Sequence, residues 1–183
     1  MKSDELSYPW FALQVRSRYE NIVTAHLEGK GYEWFLPLYK NRRRWSDRVK
    51  EIEQPLFPGY LFCRFDLLNR LPILTIPGVV QIVGTARTPI PIEESEMAAI
   101  QTAVKSGLPT EPLQFLQIGQ KVRMNHGPLC GLEGILLDFR GRDHLVLSVT
   151  LLQRSIAVQV ESASVTSIPQ QGWTRPEHYA LSS

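Results

Sequence analysis

The feature that most constrains the fold is the stretch Gln54–Phe65, in which two prolines and a glycine precede an aromatic-rich segment. The prolines fix their own φ angles and push the residues before them toward extended geometry, and Gly59 can adopt backbone angles that other residues avoid. The alternation that follows predicts a strand with Tyr60 and Phe62 on one face. The corner beside Phe57 and Tyr60 indicates either a fixed aromatic surface for a partner or an ordinary turn before a core strand.

Length and composition restrict the class of protein. The chain has 183 residues, which suits one large domain or two small ones, and its apolar fraction of 43% is sufficient for a packed core. The net charge of +2 is too small to indicate a nucleic-acid partner by itself. Cys63 and Cys130 lie far apart in apolar surroundings, so we expect buried structural thiols in a reducing compartment. The polar N-terminus is not typical of a signal peptide, and no apolar segment approaches the ~20 residues that span a bilayer, so we expect a cytoplasmic protein without membrane contact.

The first half of the chain alternates between strand and helix patterns. We predict strands at 10–16, 33–40, 45–52, 60–65 and 79–83, helices at about 19–30 and 93–105, and an ambiguous segment at 66–76 that suits a short helix. Ser17 is the expected N-cap of the first helix, because Glu20 follows it by three residues. Each helix has an apolar stripe that would cover a sheet. Residues 8–105 are therefore predicted to form an α+β domain, an antiparallel sheet with two or three helices packed on it.

The second half has a different character. Residues 106–114 contain two prolines, a glycine and no periodicity, which predicts a linker. Residues 115–168 contain five short apolar or alternating segments separated by turn signals, at 121–124, 132–138, 144–149, 156–160 and 165–168. This spacing predicts a small C-terminal β-barrel. The remaining residues, 169–183, are polar and are predicted to form a flexible tail.

Several motifs resemble the NusG family of transcription elongation factors. Trp10–Arg16, the Leu56-Phe-Pro-Gly-Tyr-Leu-Phe62 block and Ile76–Val80 resemble the family's N-terminal domain in order and spacing. Gly119–Gly134 is similar to its KOW motif, in which Gly127, Gly131 and Gly134 would allow tight turns and close approach of curved strands. The resemblance extends over about residues 8–168, and it implies an N-terminal domain joined by a linker to a KOW-type barrel.

The resemblance implies a function without chemistry at an active site. Family members bind the clamp helices of the RNA polymerase β′ subunit through an apolar patch on the N-terminal domain, and this suppresses pausing. By position, Phe57, Tyr60 and Phe62 are the candidate polymerase-binding residues. We expect Phe57 and Tyr60 to form a solvent-facing aromatic surface, since interface cores favour such side chains. Phe62 fits a role in the core equally well.

Basic residues form the second group of candidates. Residues 40–50 hold six basic residues against one acidic residue at a predicted hairpin tip, and Arg42, Arg43 and Arg44 are candidates for contact with DNA phosphates near the polymerase. A solvated charged loop is the alternative. Arg16 and His26 occupy positions at which RfaH-type factors, a specialised branch of the family, contact the non-template DNA strand. His26 also suits a polar helix surface.

The loop Leu151–Ser155 corresponds to the family loop that binds the termination factor Rho or a small-subunit ribosomal protein. Arg154 matches the family pattern, whereas Leu152 replaces a typical aromatic residue and Gln153 replaces a glycine. Leu152 and Arg154 are therefore the candidate partner-binding residues of the barrel. The departures favour an operon-specific antiterminator over a general NusG protein.

An enzyme is not expected. The sequence contains no phosphate-binding glycine loop, no metal-spaced His/Cys cluster and no nucleophile motif, so no catalytic residue, metal or cofactor is predicted. We expect a monomer. Two alternatives stay open: a general NusG protein acting with Rho and the ribosome, and an RNA- or ribosome-binding KOW protein without a role at the polymerase.

Overall fold

A computed structural model describes residues 8–45, 48–86, 88–114, 120–139 and 142–168. The elements of the first half are β1 (Trp10–Val15), α1 (Glu20–Gly29), β2 (Glu33–Phe35), β3 (Leu38–Trp45), β4 (Arg48–Pro55), β5 (Tyr60–Arg64), α2 (Leu71–Leu74), β6 (Val79–Ile82), β7 (Gly84–Thr85), β8 (Thr88–Pro89) and α3 (Glu94–Lys105). Those of the second half are β9 (Thr110–Gln114), β10 (Gln120–Met124), β11 (Glu133–Phe139), β12 (Arg142–Val149), β13 (Arg154–Gln159) and β14 (Val165–Ser167). The predicted tail, 169–183, lies outside the described residues.

The N-terminal sheet has the order β2-β5-β1-β6, with every neighbouring pair antiparallel. Alternate residues of β1 and β5 point to opposite faces, as predicted from the sequence. One face packs with α1 and α2 around a cluster that we call the first core, comprising Phe11, Leu13, Val15, Val23, Leu27, Leu61, Cys63, Phe65, Ile73 and Ile76. The α+β architecture of this half is thus confirmed.

The start of α1 differs from the prediction. Tyr19, not Ser17, is the N-cap, and its side chain makes no capping hydrogen bond. The carboxylate of Glu20 is buried and accepts a hydrogen bond of 3.1 Å from the backbone N–H of Gly59. Glu20 therefore ties the helix to the proline-rich corner, because a buried carboxylate must be hydrogen-bonded and the distant amide satisfies it.

The predicted strand at 33–40 is interrupted. Pro37 is buried between β2 and β3, and these two strands belong to different sheets: β2 pairs with β5, whereas β3 pairs only with β4 in a two-stranded ribbon. Proline cannot donate to a ladder, which explains why pairing changes at this position. A hairpin is present, but its strands are Leu38–Trp45 and Arg48–Pro55 rather than 33–40 and 45–52, so the arginines predicted at its tip lie within β3.

The second face of the N-terminal sheet packs against α3 and the C-terminal half. We call this cluster the second core; from the first half it contains Trp10, Ala12, Leu56, Phe57, Phe62, Ile92, Met97, Ile100 and Ala103, and from the second half Val122, Met124, Leu129, Leu145, Leu147, Val149, Leu152, Ile156 and Val158. Arg64 fixes the start of α3 by an ion pair with Glu94, and its guanidinium carbon lies 4.8 Å from the ring centroid of Trp10. Both faces of β1 are therefore buried.

The C-terminal half contains all five predicted strands in a sheet of order β14-β10-β11-β12-β13-β9. Glycine is required at position 134, where β11 pairs closely with β12, since a Cβ there would lie 2.5 Å from the carbonyl oxygen of Val146. The sixth strand, β9, was not expected. It lies within the predicted linker 106–114 and pairs with β13, so that only Ser106–Pro109 separates α3 from the sheet.

Charged side chains cover the exposed face of the barrel beside this glycine. Glu133 pairs with Arg123 and lies 3.6 Å from the ammonium of Lys121. The hydrogen bond from Arg123 lowers the pKa of Glu133, and the positive charges of Arg123 and Lys121 act in the same direction.

Within the described ranges, no helix is long and apolar enough to cross a membrane.

Candidate partner-binding surface

The proline-rich corner is a tight turn that sets the positions of two aromatic residues. The backbone N–H of Tyr60 donates to the carbonyl of Phe57 at 3.0 Å, and Gly59 between them has φ +81°. Proline followed by a residue with positive φ defines a type II turn. The carbonyl of Gly59 accepts from Val15 at 2.9 Å, which fastens the turn to β1. Phe57 and Tyr60 are thus held on a rigid backbone.

The aromatic residues of this corner form a cluster of four: Phe35, Phe57, Tyr60 and Phe62. The Phe57 and Phe62 rings meet edge to face with centroids 5.6 Å apart, and Phe35 stacks on Phe62 at 6.3 Å. The expectation that Phe57 faces solvent is wrong. Phe57 is 1% exposed and Phe62 is fully buried, whereas Tyr60 is half-buried. Phe57 and Phe62 belong to the second core, which also contains residues of α3 and of the C-terminal half, and a local pattern does not indicate this packing.

The candidate loop of the barrel lies in the same apolar cluster. Thr150–Leu152 forms a single 3₁₀ turn before β13, and Leu152 is 8% exposed within the second core. Arg154, in contrast, is exposed. Gln153 adopts φ +51°, the left-handed region in which glycine is most easily accommodated. Its side-chain amide donates to the carbonyl of Thr150 at 3.0 Å and stabilises that conformation locally.

A polar contact joins this loop to α3. The carboxylate of Glu96 accepts from the Thr150 hydroxyl at 2.6 Å and from the Thr150 backbone N–H at 3.2–3.3 Å. The contact connects residues 54 positions apart, so no sequence pattern indicates it. Together with the apolar packing of Leu152, it holds the loop against the N-terminal half.

The nucleic-acid candidates are separated into two places. Arg16 and His26 are both exposed, Arg16 after the end of β1 and His26 on α1. The three arginines of the basic run, Arg42, Arg43 and Arg44, lie on β3. In the backbone register of the ribbon, Arg42 is opposite Glu51 and Arg43 is opposite Lys50. Their side chains lie outside the part of the chain that the structure describes.

Among the described residues, no group of three or more His, Cys, Asp or Glu residues is arranged to hold a metal ion.

Comparisons with known proteins agree with this architecture. Residues 8–101 match the family model "Transcription termination factor nusG". The chain is 25% identical over 174 residues to the transcription termination/antitermination protein NusG of Campylobacter jejuni, covering 88% of this chain and 98% of that protein. It is 29% identical over 175 residues to the NusG of Buchnera aphidicola, covering 85% and 94%. A solved structure, "Domain interaction in Thermotoga maritima NusG", superposes with a TM-score of 0.53 at 22% identity and covers 88% of this chain and 97% of that one. This chain belongs to the NusG family of transcription termination and antitermination factors, whose members are not enzymes.

Proposed function

We propose that this chain binds the clamp helices of the RNA polymerase β′ subunit through the aromatic cluster and suppresses pausing and termination. The observation that carries the proposal is the fixed placement of Phe57 and Tyr60 by a type II turn that is anchored to β1. A rigid aromatic anchor loses little conformational entropy on binding, which suits the centre of an interface.

The proposed role is that of an operon-specific antiterminator. Its support is the pair of exposed residues Arg16 and His26, which are available to DNA, and the loop at Leu152, which lacks the family's aromatic residue. The basic ribbon would add phosphate contacts to upstream or non-template DNA, which position a protein without reading sequence. A general NusG protein that acts with Rho or a small-subunit ribosomal protein is the alternative, and Arg154 remains exposed for such a contact.

The arrangement of the two halves places a condition on this function. Phe57 and Leu152 are both buried in the second core, so neither side chain is exposed for a partner in this arrangement. A polymerase that binds Phe57 must therefore bind a form in which this cluster has rearranged to expose the ring. Removing the Glu96 carboxylate would favour that form, because the interaction of Glu96 with Thr150 connects the two halves.

The test is a transcription assay. A synchronised bacterial elongation complex is followed through a pause and a terminator, with the wild type and with Tyr60→Ala. Tyr8→Ala is the matched control, since Tyr8 is an exposed aromatic residue outside the cluster. We expect faster transit or readthrough that Tyr60→Ala reduces and Tyr8→Ala preserves. Failure of the wild type to bind polymerase on any template would refute the proposal and favour an RNA- or ribosome-binding role.

A second arm separates the specialised factor from the general one. Templates carrying different pause elements are compared for the wild type and His26→Ala. Dependence of activity on one DNA element, weakened by His26→Ala, is expected for an operon-specific factor. Equal activity of both proteins on all templates, with Rho-dependent termination enhanced, would instead assign the general role.

A further inference from the structure

The turn between β1 and α1 holds an arginine in a backbone conformation that glycine usually takes. The N–H of Tyr19 donates to the carbonyl of Arg16 at 3.0 Å, which closes a four-residue turn, and Arg18 at its third position has φ +68°. A positive φ at the third position is the pattern of a type II turn, in which a side chain meets a steric conflict that glycine avoids. Arg18 therefore carries backbone strain.

The backbone around Arg18 is held in place by the start of β6. The N–H of Arg16 donates to the carbonyl of Gly78 at 2.8 Å. The ring of Tyr19 packs so closely on Gly78 that a Cβ at position 78 would lie 2.5 Å from one of its carbons. Strained residues persist where the surrounding structure holds them, and they are concentrated at functional sites. The strain at Arg18 thus indicates a role for its side chain, since glycine would remove the strain.

The side chain of Arg18 belongs to an exposed surface that carries no negative charge. The exposed residues from 16 to 26 are Arg16, Ser17, Arg18, Asn21, Ile22, Ala25 and His26. The one carboxylate of this stretch, that of Glu20, is buried and accepts from the N–H of Gly59. Among the described residues, no carboxylate forms an ion pair with Arg16 or Arg18. Exposed cationic groups without carboxylates beside them favour contact with phosphate.

An exposed apolar side chain lies between these cations and His26. Ile22 is 45% exposed and precedes His26 by one turn on the same face of α1. From Tyr19 to His26 the helix rises about 10 Å, the length of about three stacked nucleotides. Apolar side chains contact bases directly, and an unpaired base offers its flat face, which a duplex keeps within the stack. The surface therefore suits a single DNA strand better than a duplex.

We propose that Arg18 is a further DNA-contacting residue, and that a single DNA strand lies along the exposed face of α1 with a phosphate at Arg18 and a base at Ile22. This rests on the proposed function for the presence of DNA at Arg16 and His26. The guanidinium of Arg18 would bind a phosphate through charge-assisted hydrogen bonds, and the turn fixes where that guanidinium is attached. The phosphate contact positions the strand, whereas the contact at Ile22 requires an unpaired base.

The variant Arg18→Gly separates a DNA contact from a structural role, because stability and binding should change in opposite directions. Glycine removes the strain, so we expect the melting temperature to rise by about 2 °C. The affinity for single-stranded DNA at about 50 mM salt should fall about five- to tenfold, since one phosphate contact is lost. A purely structural role for Arg18 would lower the melting temperature and the affinity together.

The probe is a fluorescein-labelled single strand of about twelve nucleotides, measured beside its duplex. Arg70→Gln is the matched control, since Arg70 is also exposed and its replacement removes the same charge. For Arg18→Gly the slope of log affinity against log salt should become shallower by about 0.7, whereas Arg70→Gln should leave slope and affinity nearly unchanged. Ile22→Asn should weaken binding of the single strand about threefold without changing the slope, because it removes an apolar contact and no charge.

Two results would overturn the contact at Arg18: no binding of the single strand by the wild type, or losses of affinity that are the same for Arg18→Gly and Arg70→Gln. Tighter binding of the duplex than of the single strand would overturn the choice of a single strand. These measurements use no polymerase. DNA binding that depends on Arg18 without any binding to polymerase would refute the proposed function alone, and the reverse result would refute the contact at Arg18 alone.

Discussion

Truncation of Phe57 to alanine tests the burial of the aromatic cluster. The side chain is 1% exposed and packs edge to face on Phe62. Deleting a buried phenylalanine side chain removes its transfer free energy and leaves a cavity, which together cost about 3–5 kcal/mol. The aromatic pair adds about 0.5–1.5 kcal/mol beyond its buried area. We therefore expect Phe57→Ala to lose about 3–5 kcal/mol of unfolding free energy, a large part of the total for a domain of this size.

The assay is urea unfolding followed by tryptophan fluorescence, to which the buried indole of Trp10 contributes. Tyr60→Ala and Phe57→Leu are measured beside it. Tyr60 is half-buried, so its truncation should cost less, and Phe57→Leu retains most of the apolar volume and should cost about 1–2 kcal/mol. A loss below about 1 kcal/mol for Phe57→Ala would refute the reasoning, because a buried ring cannot be removed at so small a cost.

Three further outcomes are expected. The expectation of two buried thiols is wrong for Cys130, which is exposed, whereas Cys63 is buried. Burial, together with the charge of Glu33, raises the pKa of Cys63 to about 12. Iodoacetamide at pH 8 should therefore modify Cys130 and leave Cys63 unmodified until the protein unfolds, which mass spectrometry checks. Gly78→Ala should destabilise the protein by about 1–3 kcal/mol in urea unfolding, since φ is +98° and a Cβ would lie 2.5 Å from a ring carbon of Tyr19. Stabilisation by Glu133, whose pKa is lowered, is complete above its ordinary value near 4.5 and is lost as pH falls through the folded pKa. The melting temperatures of wild type and Glu133→Gln should therefore differ at pH 7 and converge as the pH falls through the folded pKa of Glu133, and a difference that stays constant down to pH 2 would contradict the ion pair.

Some features of the candidate site followed from local chemistry. Pro58 and Gly59 defined the corner, because only glycine easily takes the positive φ that a type II turn requires. The alternation after them identified the faces of β5, since side chains of a strand alternate by geometry alone. Both features depend on residues within one turn of each other, and both are present in the structure.

Other features required the distant contacts. The sequence pattern predicts that Glu20 is part of a helix cap, yet its carboxylate accepts a hydrogen bond from the backbone N–H of Gly59, 39 residues away. The exposure of Phe57 was predicted wrongly because a turn indicates where a ring is attached and not what packs on it. Likewise Glu96 resembles any acid in the first turn of a helix, and only the docked barrel makes it a partner of Thr150.

The sequence alone determined the class of each half and the family, because strand periodicity, turn chemistry and the aromatic corner are local properties of the chain. The tertiary structure decided which surfaces are covered. The residues 106–114 lack strand periodicity, and 110–114 become a strand only because the edge of β13 offers unpaired backbone groups beside them. The burial of Phe57 and Leu152 in one cluster is likewise decided by tertiary packing, since burial depends on what packs against a side chain and not on its own segment.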